Sequence, residues 1–245
     1  MNNTIKLKSD NKIKNYFAYL WQDWTAFEKI WLVAFSLINI YLFYVWQDSW
    51  IGLIASLTGM LCVVLTAKAK ISSFYYGLIN ILAYSYVAYN SAYYGDVMLN
   101  MLYFLPMAFV GIYFWQKNSK KKHSEKKVMI TSLSIKEKLI WFSASIIILI
   151  GYGLFLKWLN GTLPFVDSAT TVFSIVATIL LTKRLTDQWL YWIVVDILSL
   201  GMWVYIFFTP NSDVSMLVMW SAYLVNAIYG YYNWKKMESA QNNKV

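Results

Sequence analysis

The stretch Leu65-Thr66-Ala67-Lys68-Ala69-Lys70-Ile71-Ser72-Ser73-Phe74-Tyr75-Tyr76-Gly77-Leu78-Ile79-Asn80 has an echo 116 residues later, in Leu181-Thr182-Lys183-Arg184-Leu185-Thr186-Asp187-Gln188-Trp189-Leu190-Tyr191-Trp192-Ile193-Val194-Val195-Asp196. At this offset Leu65-Thr66 aligns with Leu181-Thr182, Lys68 with Arg184, Tyr75 with Tyr191 and Asn80 with Asp196. Ile112-Tyr113 then meets Ile228-Tyr229 at the same spacing. Each stretch joins two apolar runs through a short basic turn, so the unit that recurs is a pair of packed helices. In a chain of apolar helices, an internal repeat points to a transporter whose substrate lies between the halves, near the middle of the bilayer.

Working outward, the chain has 245 residues, 59% hydrophobic and 13% charged, against roughly 45–50% and about 25% in a soluble domain. Apolar segments suited to crossing the hydrocarbon, which takes about 20 residues each, fall at 31–47, 51–67, 71–92, 97–116, 139–159, 168–183, 188–208 and 214–234. A soluble fold would have to bury nearly every one of these helices on all faces, which a chain this short cannot do. Basic residues mark alternate connections: Lys6, Lys8, Lys12, Lys14 and Lys29, then Lys68 and Lys70, then Lys117 to Lys138, then Lys183 and Arg184, then Lys235, Lys236 and Lys244. The intervening connections carry Asp48, Asp96, Asp167 and Asp213, with Lys157 the sole basic residue on that side. By the positive-inside rule this gives eight spans with both termini in the cytoplasm. The net charge of +9 therefore reports orientation and not nucleic-acid binding. The Lys120–Lys127 run reads as a solvated topogenic loop able to touch anionic lipid heads. The one cysteine, Cys62, excludes a disulfide framework and reads as a small packing residue. The polar, Lys-rich first 29 residues lack a cleavable-signal pattern, and Asn160-Gly161-Thr162 is a formal sequon in a chain that otherwise reads as bacterial.

The expected organisation is an all-α integral membrane protein. It has a cytoplasmic tail (1–30), an extra transmembrane helix (31–47), a first three-helix repeat (51–116), a basic cytoplasmic linker (117–138), a linking transmembrane helix (139–159), a second three-helix repeat (168–234) and a cytoplasmic tail (235–245). Both triplets start outside and end inside, which makes the repeats parallel, about an axis along the membrane normal. Pro106 within the fourth span is expected to kink the helix and is a candidate hinge.

Trp189, Trp192 and Asp196 are spaced i, i+3, i+7 and share one helix face, with Gln188 beside them. A carboxylate inside a span is costly and marks a polar pathway. Two indole faces beside it suit a flat cationic ring. Further polar residues line one face of other spans: Tyr76, Asn80 and Tyr84; Asn100, Tyr103 and Met107; Tyr223, Asn226 and Gly230. The alternative for the tryptophans is an interfacial belt, and for Asp196 and the amides, hydrogen bonds between helices. Catalysis has little to work with. His123 is the only histidine, which leaves no zinc site and no histidine-activated Ser or Cys, and no phosphate-binding loop is present. Asp167, the other candidate acid, sits in Asp167-Ser168, which reads as a helix cap. No metal or cofactor is expected.

Pro164-Phe165-Val166-Asp167-Ser168, Phe173-Ser174-Ile175-Val176-Ala177, Thr182-Lys183-Arg184 and Gln188-Trp189-Leu190-Tyr191-Trp192 resemble the second half of the PnuC-type nicotinamide riboside transporters. Phe74-Tyr75-Tyr76-Gly77-Leu78-Ile79-Asn80 is similar to an element of their first half, and the likeness spans roughly 51–236. The resemblance implies a SWEET-like three-plus-one-plus-three helix core, a homotrimer in the bacterial inner membrane, and import of a small cationic aromatic vitamin by facilitated diffusion, trapped by a cytoplasmic kinase. It assigns Gln188, Trp189, Trp192 and Asn226 to the substrate. Relatives that carry thiamine, riboflavin or deoxynucleosides keep the substrate open. A membrane scaffold that transports nothing would instead show helix contacts through the polar positions.

Overall fold

A computed structural model describes residues 23–46, 49–90, 97–122, 125–160, 163–207 and 214–243. Asp48, Asp96, Asp213, His123, the Lys6–Lys14 cluster and the Gly161-Thr162 half of the sequon lie outside them. The described helices are α1 (Ala26–Trp46), α2 (Trp50–Ala67), α3 (Ser72–Asn90), α4 (Leu105–Lys117), α5 (Ile135–Trp158), α6 (Pro164–Thr182), α7 (Gln188–Phe207) and α8 (Val214–Asn242). Leu99–Phe104 forms a π-helical turn that runs into α4. Pro106 stands in the first turn of α4, where its missing N–H falls at the change from π to α bonding. Among the described residues, five helices are long and apolar enough to cross a membrane: α1, α2, the continuous Leu99–Lys117 helix, α5 and α6.

Helix boundaries depart from expectation where caps decide them. The fifth helix begins at Ile135 and not near residue 139, because Ser134 and Glu137 form a capping box: Glu137 N donates to Ser134 Oγ and Ser134 N to Glu137 Oε2. The sixth begins at Pro164, ahead of the expected 168, since proline is pre-formed for the first helical position. Asp167-Ser168 is therefore not the cap. Asp167 lies inside the first turn, and Ser168 Oγ donates to the Leu149 carbonyl of α5 at 2.7 Å. The basic linker is not wholly a loop, because Ser119–Lys122 and Glu125–Val128 pair as an antiparallel hairpin, β1 and β2.

Neighbours in sequence pack together: α1 on α2, α2 on α3, α5 on α6, α6 on α7 and α7 on α8. The halves are joined by α4 on α6 and α8 on α2, and α8 also touches α1. The α2–α3 and α6–α7 turns are built alike. Ala69 N donates to Thr66 O and Lys70 N to Leu65 O; Arg184 N donates to Leu181 O and Leu185 N to Leu180 O. Both are Schellman caps. Ala69 (φ 51°) and Arg184 (φ 62°) occupy the left-handed position that favours glycine. This geometry recurs at 115 residues, one fewer than the spacing of the side-chain identities. Lys68 therefore corresponds to Lys183 and not Arg184, and Asn80 corresponds to Val195 and not Asp196.

The contacts between halves repeat too. Trp115 Nε1 of α4 donates to the Leu181 carbonyl, and Trp234 Nε1 of α8 donates to the Thr66 carbonyl, both at 2.9 Å. Each indole thus bonds the carbonyl already used by the cap of the opposite half, and the two rings lie 5.9 Å apart in the main core cluster. Gly111-Ile112-Tyr113-Phe114-Trp115 and Gly230-Tyr231-Tyr232-Asn233-Trp234 carry this arrangement at a spacing of 119 residues, which replaces the pairing of Ile112-Tyr113 with Ile228-Tyr229.

Candidate substrate site

Gln188 opens α7 and is 0% exposed, yet neither Nε2 nor Oε1 has a hydrogen-bond partner among the described residues. Trp189 follows at 3% exposure, its Nε1 likewise without a partner among them. Such burial rules out an interfacial belt for Trp189. Its ring instead lies over Gly230 of α8, where an added Cβ would fall 2.5 Å from Cη2 and Cζ2. It also meets Trp234 edge to face at 5.9 Å. Trp192, one turn on, is half-buried and touches both the main core and the Ala169–Phe173–Val195 cluster. Asp196 is buried at 4% exposure and makes no ion pair among the described residues. Gln188, Trp189, Trp192 and Asp196 are thus a run of amide, indole, indole and carboxylate along one buried side of α7.

The other candidates are brought in to varying degrees. Asn80 Nδ2 donates to Ala55 O of α2 at 2.7 Å, and Asn226 Nδ2 donates to Val63 O of α2 at 3.1 Å. Gly59 of α2 is where Asn80 and Tyr223 converge: a Cβ there would lie 2.8 Å from Asn80 Nδ2 and 2.9 Å from Tyr223 Oη. Side chains from α3 and α8 therefore meet over one stretch of α2 backbone. Tyr103 Oη donates to the Ile175 carbonyl of α6 at 2.7 Å, which ties the π-helical turn to the second half. Asn100 is buried in the same turn, and Tyr84 is half-buried farther along α3. Asn80, Asn226 and Tyr103 thus each make one interhelical bond, the alternative weighed for the amides, and Asn80 keeps its carbonyl oxygen and second N–H beyond that bond. Gln188 and the Trp189 indole do not.

An apolar hollow of about 290 Å³ lies between α6 and α7, lined by Leu163, Val166, Ile197, Leu198, Gly201 and Met202. None of the ten candidate residues lines it, and no polar side chain is among its lining residues to orient a ligand.

Two features of this region escaped the sequence reading. One is the Gly-x-Tyr-x-Trp pair that seats Phe74 and Trp189, visible in the sequence at its own spacing. The other is a buried ion pair at the start of α1. Glu28 Oε2 lies 2.6 Å from Lys68 Nζ, and Glu28 also accepts from Thr25 N at 2.7 Å and Tyr229 Oη at 2.8 Å. The Thr25/Glu28 spacing is a capping box, but nothing local says that its carboxylate also serves α2 and α8. The same end of the bundle holds the linker in place. Thr131 pairs with Leu185, Asp187 accepts from Leu133 N and meets Lys138, and Gln241 of the α8 extension bonds Ile130 and Val128. That extension carries α8 to Asn242, past the expected end at 234.

Comparison with known proteins fits this arrangement. Residues 49–236 match the family model described as nicotinamide mononucleotide transporter. The nicotinamide riboside transporter PnuC of Neisseria mucosa is 37% identical over 224 residues, covering 89% of this chain and 84% of the relative. That of Haemophilus influenzae is 35% identical, covering 89% and 94%. The crystal structure of the vitamin B3 transporter PnuC superposes with a TM-score of 0.80 at 36% identity, over 92% of this chain and 97% of that one.

Proposed function

The chain belongs to the PnuC family of nicotinamide riboside transporters, and from that premise we propose that it imports nicotinamide riboside by facilitated diffusion, with a cytoplasmic kinase trapping the product. As a member of that family it is a multi-pass membrane transporter and not an enzyme. One observation carries the substrate reading: a fully buried amide and a buried indole N–H have no partner among the described residues. Leaving such groups unsatisfied costs about 1–3 kcal/mol each, so the pair is suited to hydrogen bonds with an arriving ligand, to which the indole N–H donates. Trp189 and Trp192 supply π-faces to a pyridinium ring, and Asp196 supplies the countercharge. The convergence of Asn80 and Tyr223 over Gly59 supports a ribose-binding role at the seam between halves, where an amide and a phenol offer both donors and acceptors.

The wider proposal is a SWEET-like three-plus-one-plus-three core in which α1 is the extra helix, α2 to α4 and α6 to α8 are the parallel repeats, and α5 links them. The assembly is a homotrimer in the bacterial inner membrane with both termini cytoplasmic. The reciprocal α4–α6 and α8–α2 contacts support two halves that move against each other. Calorimetry on the purified protein with nicotinamide riboside, nicotinamide, thiamine and riboflavin tests the substrate: the riboside should bind tightest, and tighter thiamine binding would reassign it. In proteoliposomes at clamped voltage, an imposed proton or sodium gradient should give no accumulation above equilibrium. Concentrative uptake there would overturn facilitated diffusion.

A further inference from the structure

We infer that Gly230 is a positioning residue for substrate binding, leaving the space that the Trp189 indole occupies beside the Trp234 ring; the inference rests on the proposed role of Trp189 in the substrate box. A Cβ on Gly230 would come within 2.5 Å of Cη2 and Cζ2 of Trp189 and 2.7 Å of Cζ3. These distances are far inside van der Waals contact, and an indole is too rigid to give way atom by atom. Its edge-to-face neighbour at 5.9 Å, Trp234, stands one turn along the same helix as Gly230 and is fully buried, with its own Nε1 bonded to Thr66 O. Any side chain at position 230 must therefore displace the Trp189 ring. That displacement carries its N–H and its π-face out of line with Gln188 and Trp192 together.

The first half provides an internal control. Gly111 seats Phe74 just as closely, and Phe74 meets Trp115 edge to face at 5.0 Å. The packing demand is the same. The chemistry beside it is not: at the 115-residue spacing, Ser73, Gly77 and Ile81 stand where the second half has Gln188, Trp192 and Asp196. Gly230 and Gly111 thus make equivalent steric demands, and only Gly230 lies under a residue of the box.

Gly230→Ala and Gly111→Ala should be compared in purified full-length protein for thermal stability and for nicotinamide riboside affinity. Both should lose stability to a similar degree. Gly230→Ala should raise Kd about tenfold, as expected for loss of one desolvated cation–π contact, whereas Gly111→Ala should stay within about twofold. In a Trp189→Ala background, where no ring is left to meet the added Cβ, Gly230→Ala should add little further loss. If Gly230→Ala fails to fold on its own, the Gly230→Ala, Trp189→Ala double variant read against Trp189→Ala carries the test, and a further fall in affinity beyond about twofold would overturn the inference. Unchanged affinity in a folded Gly230→Ala chain, or equal losses from the two glycine variants, would overturn the inference while leaving the substrate reading intact. A wild-type chain that does not bind the riboside would overturn both.

Discussion

Removing one charge of the Glu28–Lys68 pair should destabilise the protein more than any surface ion pair could. The two groups are 2.6 Å apart, with side chains 2% and 6% exposed. At an effective dielectric of about 20, such a separation corresponds to roughly 6 kcal/mol of attraction before desolvation is counted. Breaking a buried pair from one side typically costs about 3–5 kcal/mol, against about 0–1 kcal/mol for an exposed pair. Lys68→Met leaves Glu28 its bonds from Thr25 and Tyr229, so a loss near the lower end, about 3 kcal/mol, is expected. In a chain of this length that corresponds to a fall in Tm of about 6–12 °C. Glu28→Gln should act in the same direction, stranding the ammonium against the Trp24 ring, whose centroid is 5.2 Å away, and the Asp23 carbonyl. The double variant removes both charges and should recover most of either single loss, since a neutral pair escapes the desolvation penalty. Thermal unfolding in detergent, followed by tryptophan fluorescence, measures all four proteins. Single variants within about 1 kcal/mol of wild type, or a double variant showing the sum of both losses, would refute the reasoning.

Trp192→Ala should weaken riboside binding by about 1–2 kcal/mol with the protein still folded; unchanged calorimetric affinity would make Trp192 a packing residue only. Asp196→Asn keeps shape and hydrogen bonding but removes the charge, so affinity should drop for the cationic riboside and hardly change for a neutral reduced-ring analogue. Equal effects on both ligands would make Asp196 structural. Tyr103→Phe deletes the bond to the Ile175 carbonyl and should cost about 1 kcal/mol of stability without changing riboside affinity, and a larger effect on binding than on Tm would place Tyr103 at the ligand.

Much of the helix pattern was legible because apolar runs and charged connections are read one residue at a time. What was not legible depends on backbone or on distance. The true spacing of the two turns is set by carbonyls and amides of Schellman caps, which any residue can supply, so chance Leu-Thr matches at 116 hid the geometry at 115. The start of α5 was written in Ser134 and Glu137, a local cap that a search for hydrophobic runs passes over. In the site, the Gln188–Trp189–Trp192–Asp196 face followed from helical spacing alone. That Asn80 and Asn226 would each spend an N–H on a carbonyl of α2 did not, because the partner helix and its depth are tertiary facts. The pairing of Glu28 with Lys68 and Tyr229 is a tertiary fact of the same kind.

The Trp234–Thr66 bond spans 168 residues of chain, and Asn233 closes onto the neighbouring Ala67 carbonyl beside it at 2.8 Å. During synthesis the end of α2 therefore enters the bilayer long before its partner exists. At the usual pace of about 5–20 residues per second, that stretch takes about 8–34 s to make. Throughout that interval the end of α2 lacks its bonds from Asn233 and Trp234. Truncating the chain before Asn233 should thus leave a product that inserts but never locks, and that proteases of the membrane can recognise by this open seam.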